Sequence, residues 1–415
     1  MKQNYTIQIH TNEENFKTIA QFPWYLDLEE WVSLKNIREL KIRKGNHRHP
    51  ILFLVFNEQY FAVKQISPNV AEKEIKFYDL LNKKEIPTLI PVGYIRVDRP
   101  LIRIENVIGQ PMVADDTGFL VTKLERDVIP DNEILRYSLS KKNEEKVWNS
   151  IAELFVNLHS NNIFWGDGSL NNVLIRFKKI RYPGSERNKT ILEAILVDTE
   201  TMEEYEIISY KRRMEDWEIF FESLEWTIED LKRIGIKKKL NFELLKTKLL
   251  KKYDQWYSIT KERQRFEKMT HLDSEAFEIE WLPDSYFNIF LKQMEEHKWY
   301  LSESAGKVIS LEVAALDWYK TVFMPTAQAL ASSDIEKIFP KRSPTELYVE
   351  IMQHKYLMSL KSGKDVGISF AVEDYCLRFG IHNNVFPIIE NFMKILNKNV
   401  QISLSESLKN RIVKK

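Results

Sequence analysis

The sequence predicts an α+β chain in three parts: a strand-rich lobe, a mostly helical second lobe, and a helical C-terminal domain. Three observations predict it. Short apolar runs broken by turn residues fill residues 1–126; a helix, a polar loop and a strand follow in close succession within residues 127–265; and residues 266–415 contain one helical hairpin twice. At 415 residues, 44% hydrophobic and 29% charged, the chain can hold several domains with cores of their own and is not of disordered composition.

In the first lobe, "HPILFLVFNEQYFAVKQI" reads as two strands joined around Asn57 and Glu58. "NVAEKEIKFYDLLNKK" is a helix, because Ile75, Tyr78 and Leu81 recur at helical spacing with Phe77 beside them. "TLIPVGYIRV", "PLIRIENVI" and "TGFLVTKLERD" read as further strands. The second lobe opens with "EEKVWNSIAELFVNLHSNN", which sets Val147, Ile151, Leu154 and Leu158 on one helical face. "NVLIRF" and "TILEAILVDTE" are then two strands joined by a charged hairpin turning at Pro183 and Gly184. Trp217, Phe220, Leu224 and Ile228 mark a long helix ending near Gly235, and the lysine run Lys237–Lys239 reads as a solvated helix face.

The C-terminal repeat aligns "EHKWYLSESAGKVISLEVAALDWY" from Glu296 with "QHKYLMSLKSGKDVGISFAVEDYC" from Gln353. His297 matches His354, Trp299 matches Tyr356, Gly306 matches Gly363, and Asp317 matches Asp374. Each unit is a helix, a glycine break and a second helix. The histidines read as helix-surface or capping residues, and Trp299, Tyr356, Trp318 and Tyr375 as core.

Charge and cysteine content exclude several classes. Lys and Arg number 61 against 60 Asp and Glu, a formal charge of +1, which gives no reason to expect nucleic acid or an acidic membrane as partner. Cys376 is the only cysteine, so intrachain disulfides and multi-cysteine metal sites are excluded. The start lacks an apolar signal core and no later run reaches membrane-spanning length, so a cytoplasmic location is the expectation.

The chemistry concentrates in "NNIFWGDGSLNNVLIRF" and its neighbours. Phosphoryl transfer needs a lysine for phosphate oxygens, a carboxylate to fix it, an Asp at the acceptor hydroxyl, and an Asn and Asp for the metal. The chain offers them in that order. Lys64 lies on an apolar strand, where a charge is costly unless paired, and Glu74 on the following helix is the preferred partner over Glu72. The plain alternative is a lysine snorkelling from a strand edge. Asp167 lies between Gly166 and Gly168, and Asn172 stands five residues on, the spacing of a kinase catalytic loop. Asp198 ends the next strand as the main metal carboxylate, with Glu200 as a further ligand; alternatively both acids begin the following helix. Together these features predict a bilobal protein-kinase-like fold.

The same stretches resemble the protein-kinase-like superfamily. They more narrowly resemble the bacterial family known as domain of unknown function 4032, whose N-terminal part is similar to lipopolysaccharide kinases. "FPWYLDLEEW", "FAVKQI", "EIKFYDLLNKKEIPTLIPVGYI", "LHSNNIFWGDGSLNNVLIRF", "AILVDTET" and "MQHKYLMSLKSGKDVGISFAVEDY" carry the likeness over nearly the whole chain. The resemblance implies that Lys64 is the ATP-phosphate lysine, Glu74 its helix partner and Asp167 the catalytic base. It makes Asn172 and Asp198 metal ligands, and Asp216 the helix aspartate that braces the loop. The chain departs from protein kinases in lacking "GxGxxG" and in reading "DTE" in place of "DFG". Between the first two strands stands "RKGNHRHP", whose Lys44, Arg48 or His49 read either as phosphate contacts or, equally, as a solvated turn. With no evident activation loop, the expectation is an ATP- and magnesium-dependent kinase, manganese being the other candidate ion, acting on a hydroxyl of a glycan, lipid or small molecule. A weakly active or inactive kinase-like scaffold, binding a protein partner through the helical C-terminal domain, is the second reading. A nucleotidyl transferase on the same fold is the third.

Overall fold

Alternating apolar residues build the first sheet. The computed structural model describes residues 6–412 except 35, 43–48, 99–103, 106–110, 113–116, 138, 182–187, 237–239, 278–284, 341 and 382–384. It divides into two compact units, Met1–Tyr257 and Ser258–Lys415. The first begins with β1 (Thr6–Thr11), α1 (Glu13–Ile19), β2 (Arg38–Glu39), β3 (Ile51–Phe56), β4 (Gln59–Ile66), α2 (Pro68–Lys83) and β5 (Pro91–Asp98). A short ribbon of β6 (Ile104–Glu105) and β7 (Pro111–Met112) precedes β8 (Thr117–Lys123). An antiparallel sheet runs β1-β5-β8-β4-β3-β2. Asn57 and Glu58, at φ 47° and 62°, make the β3–β4 turn with both central residues left-handed, the twist that suits a tight hairpin.

The pleat assigns each face. Phe61 and Val63 of β4 join Phe22, Trp24, Trp31 and Phe119 in an aromatic cluster on one side. Ile66, in step with Lys64, packs with Leu120 of β8 and Ala71 and Tyr78 of α2 on the other. Lys64 therefore projects from a central strand toward α2. Pro68 at the first helical position fixes where that helix starts.

The second lobe follows as β9 (Val128–Pro130), α3 (Asp131–Ile134), α4 (Lys141–Ser160), β10 (Ile163–Phe164), β11 (Val173–Arg181), β12 (Asn188–Leu196), β13 (Glu203–Glu204), α5 (Tyr210–Arg233) and α6 (Phe242–Thr270). Val147, Ile151, Leu154 and Leu158 of α4 are buried as their spacing predicts, against Trp217, Phe220 and Leu224 of α5. The strands form a sheet β12-β11-β9 and a separate pair β10-β13. Behind α2, Thr88 bridges to Leu196, with its hydroxyl donating to the Leu196 carbonyl at 3.0 Å and the Leu196 amide donating to Pro87 O. The strand that leads to Asp198 is thus tied to the segment that leaves α2. Pro183, Gly184 and Lys237–Lys239 lie outside the described residues.

The second unit carries α7 (Ser285–Ala305), α8 (Leu311–Trp318), α9 (Met324–Ser332), α10 (Pro344–Ser362), α11 (Ile368–Phe379) and α12 (Phe386–Ile412). The sequence repeat corresponds to α7–α8 and α10–α11, and it extends to individual bonds. Gly306 and Gly363 take φ 62° and 69° at the breaks. Ser302 Oγ accepts from Ile309 N at 3.0 Å, and Ser359 Oγ from Val366 N at 3.2 Å. The repeated histidines are half-buried on their helices, and each has a partner across its hairpin. His297 Nε2 meets Asp317 Oδ2 at 2.9 Å and His354 Nε2 meets Asp374 Oδ2 at 2.7 Å, so each clasps one helix of its hairpin to the other. Of the four aromatic residues expected in the core, Trp318 is buried and Tyr375 packs against the core, but Trp299 and Tyr356 are 59% and 57% exposed. Both lie on the outer face of the first helix of their hairpin, where helical spacing alone does not separate inward from outward.

At Gly306 and Gly363 an added Cβ meets nothing within 4 Å, so only the backbone opposes substitution. Gly306→Ala and Gly363→Ala are expected to cost about 1 kcal/mol each, by similar amounts, through left-handed strain. Thermal unfolding of the two single variants checks both size and equality.

Candidate active site

Lys64 is the centre of the site. Its side chain is 12% exposed, and its Nζ lies 2.8 Å from Glu74 Oε1 and 3.0 Å from Asp198 Oδ2. A β4 lysine, an α2 glutamate and an aspartate from the turn after β12 thus converge on one point. Burial pulls the ammonium toward neutrality, but the charges of Glu74 and Asp198 and their hydrogen bonds prevail and hold it above its usual value. Burial also pushes the Glu74 carboxyl up to about 7, against the opposing pull of Lys64, with the Asp198 charge adding to the rise.

The turn at Asp198 is shaped by its neighbours. Asp198 takes φ 71°, a left-handed conformation that Asp tolerates better than most residues. Its amide donates to Tyr78 Oη at 3.0 Å, and its carbonyl accepts from Trp165 Nε1 at 3.0 Å. Its Oδ1 accepts from Glu200 N at 3.2 Å. Tyr78 Oη in turn donates to Glu74 Oε2 at 3.4 Å, and burial raises this phenol well above its ordinary range. Thr199 Oγ1 donates to Glu74 O at 3.2 Å, and Lys73 Nζ donates to Glu200 O at 2.7 Å. Carboxylate oxygens of Glu74, Asp198 and Glu200 lie within 4.8 Å of one another. Three such oxygens are the donor type that a hard divalent cation takes. Asp198 and Glu200 do not begin a helix, since α5 starts only at Tyr210.

The loop before β11 is braced from below. Asp216 of α5, fully buried, accepts from Trp165 N at 2.8 Å and Gly166 N at 2.7 Å, and its Oδ2 lies 3.0 Å from His159 Nε2. A carboxylate only accepts, so we assign the imidazole proton to Nε2. Tyr253 then donates to His159 Nδ1 at 2.7 Å while accepting from Arg213 Nη1 at 2.9 Å. Burial lowers the His159 pKa against the pull of Asp216, in keeping with a neutral ring. Gly166 sits at φ 79°, and a Cβ there would come 3.1 Å from Thr201 Cβ and O, so the passage into Asp167 needs glycine for both reasons.

Asn172 Nδ2 donates to Asp167 O at 3.0 Å, closing the five-residue loop on itself. Asn172 O accepts from Val197 N at 2.9 Å, which sets Asn172 beside the residue preceding Asp198. Leu170, Val173 and Ile175 are buried and anchor the loop in the core. Asn171 faces away, its Oδ1 taking a bond from Asn132 Nδ2 at 2.7 Å. Of the basic loop, Lys44 and Arg48 lie outside the described residues, while His49 Nε2 stands 3.7 Å from Glu200 Oε2. Glu72 points elsewhere, to Lys76 at 2.6 Å. Sequence reasoning missed Tyr78, Trp165, Thr199 and Lys73. A tyrosine at helical spacing reads as packing, and no local pattern distinguishes one whose hydroxyl has a second use.

A strand-rich lobe with a lysine–glutamate pair, joined to a helical lobe bearing an Asp–Asn loop and an aspartate turn that meets the lysine, is a bilobal protein-kinase-like fold. A largely helical region follows it in the chain. The sequence profile of the family described as Domain of unknown function (DUF4032) matches residues 307–379, from α8 through α11, a narrower stretch than the likeness read from the sequence. Similar solved structures include WaaP in complex with acyl carrier protein, at 12% identity and TM-score 0.35, over 61% of this chain and 99% of that one. The Rio2 kinase from Chaetomium thermophilum is similar at 16% identity and TM-score 0.31, over 54% of this chain and 66% of that one. An aminoglycoside-3'-phosphotransferase of type VIII is similar at 10% identity and TM-score 0.31, over 58% and 100%. No curated protein matches the chain. No helix among the described residues is long and apolar enough to cross a membrane.

Asp216→Ala would leave two loop amides and His159 without their acceptor, and is expected to destabilise the chain by about 3 kcal/mol or more, read by urea unfolding. A second expectation concerns pH. The Glu74 carboxyl is raised from 4.5 to about 7, so its contribution to stability is full below pH 4.5 and is lost as pH rises through 7. The difference in Tm between wild type and Glu74→Gln should therefore shrink from pH 5 to pH 8. A difference that stays constant across this window would contradict the assignment.

Proposed function

We propose that this chain is a phosphotransferase that uses ATP with magnesium, or manganese as the other candidate ion, and acts on a hydroxyl of a glycan, lipid or small molecule. The observation that carries the proposal is the position of Lys64 Nζ, 2.8 Å from Glu74 and 3.0 Å from Asp198, at the edge of a three-carboxylate cluster. Lys64 would bind phosphate oxygens, and Glu74 keeps the ammonium from collapsing into the sheet. Asn172, Asp198 and Glu200 would hold the metal. The carboxylate cluster fits a divalent ion, because Lys64 offers one positive charge against three carboxylates. When bound, metal–ATP supplies the transferable phosphoryl group and spreads its charge.

Asp167 is assigned to the acceptor side. It follows Gly166 on a loop held by Asp216, so its backbone stands on a rigid base. It would orient the acceptor hydroxyl and take its proton as the oxygen attacks. The remaining residues act by fixing these groups, and pre-organisation of this kind is the main catalytic resource in phosphoryl transfer.

Isothermal titration with ATP, with and without magnesium, tests the proposal on wild type, Asp198→Ala and Asp167→Ala. Metal-dependent ATP binding is expected in wild type and absent in Asp198→Ala. Asp167→Ala should retain binding and lose turnover by about 10²–10⁴-fold, the usual share of a general base. Wild type without any metal-dependent response would defeat the reading. Formation of ADP indicates phosphoryl transfer, whereas pyrophosphate release would indicate nucleotidyl transfer in its place.

A further inference from the structure

The turn that carries Asp198 is bonded to helix α2 by more than the lysine. Tyr78 lies one helical turn after Glu74 and is 1% exposed, which takes its hydroxyl away from bulk solvent. Its one proton goes to Glu74 Oε2 at 3.4 Å, and its lone pair takes the Asp198 amide at 3.0 Å. The opposite side of the same peptide segment is held by Trp165 Nε1 on the Asp198 carbonyl at 3.0 Å. Asp198 is therefore clamped on both its backbone groups while in a left-handed conformation, φ 71°.

We propose that Tyr78 is a positioning residue that holds the Asp198 backbone in this conformation, and so fixes where the Asp198 carboxylate points before any nucleotide arrives. The consequence for metal and nucleotide rests on the phosphotransferase reading; the clamp itself does not. A residue at positive φ returns readily to the extended or right-handed region once its amide loses its acceptor. Rotation there would swing Oδ2 away from Lys64, which it now meets at 3.0 Å, and Oδ1 away from Glu200 N. Thr199, on the next residue, donates to the Glu74 carbonyl and adds a second tie to the same helical turn. A phenylalanine at 78 would fill the same apolar pocket, between Ile66, Ala71 and Leu120, and remove only the hydroxyl.

Two measurements on the full chain test this. Amide hydrogen exchange, resolved to single residues by fragmentation mass spectrometry, is read first without ligand. The Asp198 amide is expected to exchange slowly in wild type and about tenfold or more faster in Tyr78→Phe, as a lost hydrogen bond of ordinary strength implies, with α4 amides unchanged. Loop-like exchange at Asp198 in wild type overturns the proposal, whether or not the variant folds; so does equal protection in a folded Tyr78→Phe. The second measurement is ATP titration with and without Mn²⁺. The ratio of the two affinities should fall about five- to tenfold in Tyr78→Phe, while metal-free ATP affinity moves less than about twofold. A general loosening of the fold would lower both affinities together and would overturn the positioning role. If wild type shows no Mn²⁺-dependent ATP binding, the phosphotransferase reading fails, and the exchange measurement alone decides whether Tyr78 holds the turn.

Discussion

An ammonium group taken out of water must find its charge answered nearby, and in this chain that requirement falls on Lys64. Its side chain lies on the α2 side of β4 and is 12% exposed. Glu74 and Asp198 provide the answer from two different elements, one on either side. Removing one member of a buried pair typically costs about 3–5 kcal/mol, because the survivor stays buried and uncompensated. The Asp198 side chain is 31% exposed, so its half of the interaction is screened and smaller. Strand, helix and turn are therefore held in register by one charge, and the residues around them are arranged to keep that meeting point fixed.

The second fixed point is Asp216. It ties the loop before β11 to α5, as Lys64 ties the turn after β12 to the first lobe. Between the two, the pairing of β11 with β12 sets Asn172 next to Val197 and so brings the two halves of the site side by side. The helical unit is built by another device. There the same hairpin is made twice, each copy closed by a histidine–aspartate bond, a serine that captures the loop amide, and a left-handed glycine.

Much of this was legible in the sequence, and unevenly so. The order lysine, glutamate, Asp–Asn loop and aspartate was readable because each residue type has few reasons to stand at the end or middle of an apolar run. The face of α4 was readable from its spacing alone. What could not be read depends on pairings far apart in the chain. Tyr78 bonds across 120 positions to Asp198, and nothing near Tyr78 announces it. The histidine clasps were hidden for a similar reason, although their signal was present: both copies place the aspartate 20 residues after the histidine. The exposure of Trp299 and Tyr356 was misjudged because matched aromatic residues in a repeat read as shared packing. A repeat reproduces its surface as faithfully as its core.

Glu74 and Tyr78 occupy successive turns of one helix, and they hold the two sides of the Lys64–Asp198 contact, Glu74 the lysine and Tyr78 the aspartate amide. An α-helix advances about 100° per residue, so a twist of α2 by a single position would carry both side chains off their targets together. The lysine would lose its partner at the moment the aspartate turn lost its clasp. Any influence that reaches the site through this helix would act as a latch and not as a dial.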